Sequence, residues 1–142
     1  MKAPALTDFS RLCVHTITTK GWELEEAVER YAESGVSGIT VWRQWLEGRD
    51  PAEAGDRIRA AGLKVVSLCR GGFYPAFEEK DREEAIEENK RAIEDAAALG
   101  APLVVLVCGA VPGQSLVESR KQITEGIAAT LPLAESLGVK LA

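Results

Sequence analysis

Leu99-Gly100-Ala101-Pro102-Leu103-Val104-Val105-Leu106-Val107-Cys108-Gly109 joins two patterns without a linker: a helical one closes at Leu99, and an apolar run follows Gly100. Glycine at such a join supplies the left-handed residue that ends a helix. The run after it is rich in Val and Leu with little alternation, as expected of a strand covered on both faces. The same join recurs at Ser34-Gly35-Val36, Ala61-Gly62-Leu63 and Leu137-Gly138-Val139. Helix, glycine and apolar strand, repeated at intervals that suit one strand and one helix each, mean βα units and a parallel sheet with right-handed crossovers. The strands read as residues 12–18, 38–42, 64–70 and 103–109, with a fifth beginning at Val139.

The intervening helices follow from their apolar spacing. Leu24, Ala27, Val28, Tyr31 and Ala32 form one stripe, and Glu23, Glu25 and Glu26 crowd the first turn, where the helix dipole favours anions. Asp50-Pro51-Ala52-Glu53 reads as an N-cap, a proline at the first helical position and an acidic third position. The helix that follows carries a thin stripe of Ala54, Ile58 and Ala61. A third helix, residues 81–99, buries Ile86, Ala92, Ile93, Ala96 and Ala97, and its charged opposite face reads as solvated surface. The fourth carries Val117, Ile123, Ile127, Ala134 and Leu137, and Pro132 is expected to kink or split it. No Ser/Pro-rich linker divides the chain. The last four residues, Val139-Lys140-Leu141-Ala142, begin a strand and stop, so residues 1–142 are expected to be one domain left incomplete at its C-terminus.

Composition narrows the class. The 142 residues are 46% hydrophobic and 27% charged, which suits a packed core and argues against disorder. The net charge is −5 with no basic run, the wrong field for a phosphate backbone, so no nucleic-acid partner is expected. The longest apolar stretch falls far short of a membrane span, and residues 1–8 lack a signal-peptide layout. Cys13, Cys69 and Cys108 are odd in number and widely spaced, as small buried hydrophobes would be, with a catalytic thiol as the other reading. A soluble cytoplasmic enzyme, or part of one, is the expectation.

Parallel α/β architectures place their sites at the carboxyl ends of the strands. That rule gathers His15, Trp42, Arg43, Arg70 and Phe73 at one mouth. His15 is either a satisfied strand-end histidine or a binding and proton-transfer group. Trp42 either covers the core or walls the apolar face of a sugar. Arg43 and Arg70 adjoin apolar strands and need anionic partners, which neighbouring carboxylates or a substrate carboxylate or phosphate would supply. Gly71-Gly72 permits a sharp turn and also a close approach of backbone to a ligand.

Several signatures are missing. Gly109-Ala110-Val111-Pro112-Gly113-Gln114-Ser115 lacks the Lys-Ser/Thr ending of a phosphate loop, and no G-x-G-x-x-G or G-x-S-x-G is present. One histidine, with no Asp or Glu at a strand end, assembles no metal site from spacing.

Three segments carry a family likeness: His15-Thr16-Ile17-Thr18-Thr19 with Trp22-Glu23-Leu24-Glu25-Glu26-Ala27; Gly38-Ile39-Thr40-Val41-Trp42-Arg43; and Val66-Ser67-Leu68-Cys69-Arg70-Gly71-Gly72-Phe73-Tyr74-Pro75-Ala76. The helix Asn89-Lys90-Arg91-Ala92-Ile93-Glu94-Asp95-Ala96-Ala97-Ala98-Leu99-Gly100 adds a weaker match. With these the chain resembles the N-terminal half of the sugar phosphate isomerase/epimerase family, the xylose-isomerase-like TIM barrels. The resemblance implies an α/β fold, the N-terminal half of a (β/α)8 TIM barrel: four βα units plus the start of strand five. It implies a divalent metal (Mn, Mg, Zn or Co) held by two glutamates, an aspartate and a histidine of later strands, none placed in this chain. It also implies proton transfer through a metal-stabilised enediolate, with His15, Trp42, Arg43, Arg70 and Phe73 lining the substrate side and no catalytic residue assigned.

The first expectation is therefore half of a metal-dependent sugar or sugar-phosphate isomerase/epimerase, inactive by itself, with a small-molecule sugar as partner. A dehydratase of the same fold is one alternative. Another is a half-barrel binding module that self-associates through its open strand edges. The abasic-site endonucleases that share this barrel are disfavoured by the acidic charge.

Overall fold

The computed structural model describes residues 7–142, so most of the stretch read for a signal peptide lies outside the described residues. Five strands form a single sheet: β1 (Cys13–His15), β2 (Gly38–Trp42), β3 (Lys64–Gly72), β4 (Leu103–Val107) and β5 (Lys140–Leu141). Four helices alternate with them: α1 (Leu24–Glu33), α2 (Pro51–Ala60), α3 (Glu79–Leu99) and α4 (Leu116–Ser136). All neighbours are parallel and the strand order is consecutive, β1-β2-β3-β4-β5. Consecutive parallel strands joined by right-handed crossovers put every helix on the same face of the sheet. This is the α/β half-barrel of four βα units and a fifth strand.

The joins work as their sequence implies. Each helix closes with a six-to-one bond across its glycine: Val36 N–H to Tyr31 O, Leu63 to Ile58, Ala101 to Ala96 and Val139 to Ala134, at 3.1, 3.2, 2.8 and 2.9 Å. Gly100, at φ +80°, shows why the residue is required, since a Cβ is disfavoured in that left-handed conformation. At the other end of α2, Asp50 accepts from the amides of Ala52 and Glu53 at 2.8 and 3.1 Å. Ser115 caps α4 by accepting from Glu118 N–H at 3.1 Å. Such caps stabilise a helix by about 1 kcal/mol each.

The core lies between sheet and helices. Ile39, Val41, Leu68 and Val104 present fully buried side chains to Leu24, Val28, Ile58, Ile93, Ala96 and Leu99. On the strands the side chains alternate, and Thr40 and Ser67 join by a 2.8 Å hydrogen bond between β2 and β3. The sulfur of Cys13 lies 3.4 Å from the same Thr40 hydroxyl, which continues the polar row onto β1.

Some boundaries differ from the sequence reading. β1 ends at His15 because Thr16 turns into a 3-10 segment (Thr16–Thr19), where its buried hydroxyl accepts the Trp42 amide at 3.0 Å. β3 runs on to Gly72, and β4 stops at Val107, where the ladder ends. Ala61 is exposed, and Asn89 and Leu99 replace Ile86 and Ala97 among the fully buried positions of α3.

α4 departs most. It is one helix across Pro132, not two. Pro132 and Ala128 are both exposed, so water can bond the Ala128 carbonyl that the missing amide leaves free. Its buried face is Ser119, Gln122, Gly126, Thr130 and Ala134, while Val117 is 79% exposed and Leu137 is also exposed. The reason is Tyr74, which is buried against this helix and exchanges a 3.0 Å hydrogen bond with Thr130. Its ring occupies the space a side chain at Gly126 would need: a Cβ there would sit 2.2 Å from Tyr74 Cδ1. Cys108 is exposed and Cys13 half-buried, so only Cys69 is the small buried hydrophobe expected of all three.

Candidate functional site

The carboxyl ends of β1, β2 and β3 bring four side chains into one connected group. His15 is the last residue of β1 and Trp42 the last of β2. The Trp42 indole Nε1–H donates to His15 Nδ1 at 3.2 Å. A neutral His15 that accepts at Nδ1 carries its hydrogen on Nε2, which fixes the tautomer. The Arg70 guanidinium lies 5.8 Å from the Trp42 ring centre and 4.5 Å from that of Phe73. These distances fall within the range of cation–π attraction.

Local backbone geometry builds this group. In the β3–β4 ladder Cys69 pairs with Val105 and Gly71 with Leu106, so Arg70 is an extra residue on β3. A bulge of this kind re-aims the side chain it carries. The Cys69–Arg70 peptide bond is cis. After Gly72, Phe73 takes φ +56°, a conformation uncommon for a bulky residue. It is held there from both sides: its amide donates to Val107 O at 2.7 Å, and Gly109 packs so closely that a Cβ would meet the Phe73 ring at 3.2 Å.

A residue outside the five predicted ones fixes the turn. Asn89 of α3 is buried, with its Oδ1 accepting from Gly72 N–H at 2.6 Å and its Nδ2 donating to Gly72 O at 2.7 Å and Ala85 O at 2.8 Å. The side chain acts as a strand edge for one residue. Gly72 itself admits no side chain, since at φ +98° a Cβ would lie 2.0 Å from Val107 O. Asn89 was legible as a polar residue in phase with Ile93 and Ala96 on the buried stripe of a charged helix.

Arg43 stands apart. It follows β2 directly, and its guanidinium pairs with Glu88 and, at 3.3 Å, with Asp95, both on α3. Of the two partners left open for it by sequence, the neighbouring carboxylates are the ones present. Burial alone would raise the Glu88 carboxyl, but hydrogen bonds from Arg43 and Arg91 outweigh it and hold the group below the usual glutamate range. Arg49 is likewise committed, to Glu23 at 2.8 Å and Glu25 at 2.9 Å, and the Arg49 hydrogen bond lowers the Glu25 carboxyl. A cleft of about 470 Å³ runs along Arg43, Gln44, Arg49, Arg70, Glu88 and Asp95, so Arg70 sits between this cleft and the aromatic group.

Burial raises the Cys69 thiol, against the opposing charge of Arg70, and a protonated thiol is a poor nucleophile. Among the described residues no three of His, Cys, Asp and Glu gather as metal ligands. The residues present do not fit a divalent metal. The mouth presents two aromatic faces, an imidazole and a guanidinium. Among the described residues no helix is long and apolar enough to cross a membrane.

A family model described as xylose isomerase-like TIM barrel matches residues 28–142. Among solved structures, protein SMc04130 from Sinorhizobium meliloti 1021 is 42% identical with a TM-score of 0.85, over 92% of this chain and 49% of that one. An IolI protein with a bound zinc atom is 24% identical at TM-score 0.79, over 92% and 50%. A D-psicose 3-epimerase, solved in the presence of D-fructose, is 14% identical at TM-score 0.75, over 91% and 50%. These last two show the fold alone. The chain spans about half the length of the solved structures it matches. No curated protein shows a significant match.

Proposed function

The chain belongs to the xylose isomerase-like TIM barrel family, and from that premise we propose that it forms the N-terminal half of a metal-dependent sugar or sugar-phosphate isomerase or epimerase. The observation that carries this reading is the connected group of His15, Trp42, Arg70 and Phe73 at the carboxyl ends of three adjacent strands. Barrel enzymes build their sites at that end. Aromatic faces beside hydrogen-bonding groups suit a polyol, whose C–H faces pack on rings while its hydroxyls bond at the edges.

In this proposal the present half binds and orients. Trp42 and Phe73 supply the faces, and the Nε2–H of His15 supplies a donor. The divalent metal belongs to residues other than those of this mouth, since the described side chains do not form a site for one. A cytoplasmic setting, and a small-molecule sugar as partner, belong to the same proposal.

Two measurements test it. D-fructose or D-psicose at millimolar concentration should shift the Trp42 indole resonance saturably in a ¹H–¹⁵N spectrum. The Trp45 indole, which donates to Trp22 O at 2.8 Å beneath the surface, should stay in place. Absence of any Trp42 shift across ketoses and aldoses would overturn the reading. Calorimetry with Mn²⁺ checks the division of labour: tight stoichiometric binding by this chain would show that the metal site had been placed wrongly.

A further inference from the structure

We propose that Arg70 is an oxyanion receptor: the substrate carries a carboxylate or phosphate group that binds the outward edge of this guanidinium. The inference rests on the sugar-binding reading of the mouth and narrows its substrate class to acidic sugars or sugar phosphates.

Three arginines border this end of the sheet, and two are already neutralised. Arg43 has Glu88 and Asp95, and Arg49 has Glu23 and Glu25. Arg70 has no carboxylate at ion-pair distance among the described residues; its neighbours are the rings of Trp42 and Phe73. Glu88 borders the same cavity as Arg70, but both of its oxygens are committed, Oε1 to Arg43 and Oε2 to Arg91. A guanidinium between ring faces keeps its N–H edge free, and that edge matches a carboxylate or phosphate through two parallel hydrogen bonds.

The surroundings are also built rather than incidental. A bulge singles out Arg70 from the ladder, and Phe73 is held at positive φ to meet it. The buried Asn89 clamps Gly72, one of the two residues between them in sequence. Residues kept in sparsely populated conformations cluster at binding sites because the surrounding structure must over-determine them. Stacking restrains the long arginine side chain, so less rotamer freedom is lost when an anion binds.

The test compares three polyols of one carbon skeleton: glucitol, gluconate and glucitol 6-phosphate. Each is titrated into the chain, and binding is read at the Arg70 Nε–H and Trp42 indole resonances. At least one charged polyol should bind about tenfold or more tightly than glucitol, the scale of one charge-assisted hydrogen bond. Which of the two does so identifies carboxylate or phosphate. Arg70→Gln should bring that polyol down to the level of glucitol, with unchanged circular dichroism because the residue is exposed. Arg70→Lys should restore only part of the difference, since an ammonium keeps the charge and loses the fork. Equal affinity for all three, or discrimination that survives Arg70→Gln, would overturn the proposal. If glucitol binds and charge makes no difference, the sugar-binding reading stands without this one; if none of the three binds, this proposal falls and the ketose and aldose titration decides the other.

Discussion

At the scale of single residues, Asn89 and Gly72 depend on one another. Removing the carboxamide would leave a buried amide and a buried carbonyl of Gly72 without partners. Orphaned groups of this kind cost about 1–3 kcal/mol each. Asn89→Ala should therefore lower stability in urea by about 2 kcal/mol or more, and should shift the resonances of Phe73 and Arg70 although neither is hydrogen-bonded to the mutated side chain. An unchanged unfolding midpoint would show that water replaces the clamp. The partner of Arg43 illustrates what one residue cannot disclose. Sequence places the guanidinium beside an apolar strand and demands an anion, but Glu88 and Asp95 lie 45 and 52 positions away. Only the packing of α3 over the sheet selects them.

At the scale of elements, α4 shows two physical terms in competition. Gly126 in a helix interior is unfavourable by about 1 kcal/mol relative to alanine. Its replacement would nonetheless drive a methyl group into the buried Tyr74 ring, within 2.9 Å of three of its carbons. Overpacking of a fixed core typically costs about 1–3 kcal/mol, so Gly126→Ala should destabilise the protein in thermal or urea unfolding; a gain in stability would mean that Tyr74 moves freely. The same contact explains why apolar spacing does not mark this helix's buried face. The apolar stripe places Ala134 correctly but also takes in Val117 and Leu137, both exposed, because the rest of the face that packs consists of Ser119, Gln122, Gly126 and Thr130. Small and hydroxyl-bearing residues are chosen there by the shape and the phenol of Tyr74. The glycine joins were legible for the opposite reason: the bond from Ala101 to Ala96 and its counterparts are local, and their glycines announce them. Likewise β2, flanked by such a join and by Trp42, is found at the residues expected, 38–42.

At the scale of the molecule, β1 and β5 each lack a neighbour on one side within the described sheet. Unpaired strand edges carry free amide and carbonyl groups that readily pair with another chain. We propose that residues 1–142, taken by themselves, pair through these edges, and sedimentation velocity should then show species heavier than a monomer. A well-folded monomer at all concentrations would refute this. The architecture was legible from sequence because every unit repeats one local grammar of helix, glycine and strand. The mouth was legible only in outline: the strand-end rule gathers His15, Trp42, Arg70 and Phe73, but the bulge at Arg70 and the left-handed Phe73 come from pairing with β4, which spacing along the chain does not encode.

The consecutive order of the strands has one more consequence, for how the molecule is made. Within the described sheet each strand after β1 adds beside the one made just before it, so each finds a partner already in place. Pairing stays between successive units, although a helix between parallel partners makes even these contacts non-local, which slows folding relative to a helical bundle. Growth from the ribosome can thus proceed unit by unit, each glycine join marking a point at which the part already made is ready to receive the next.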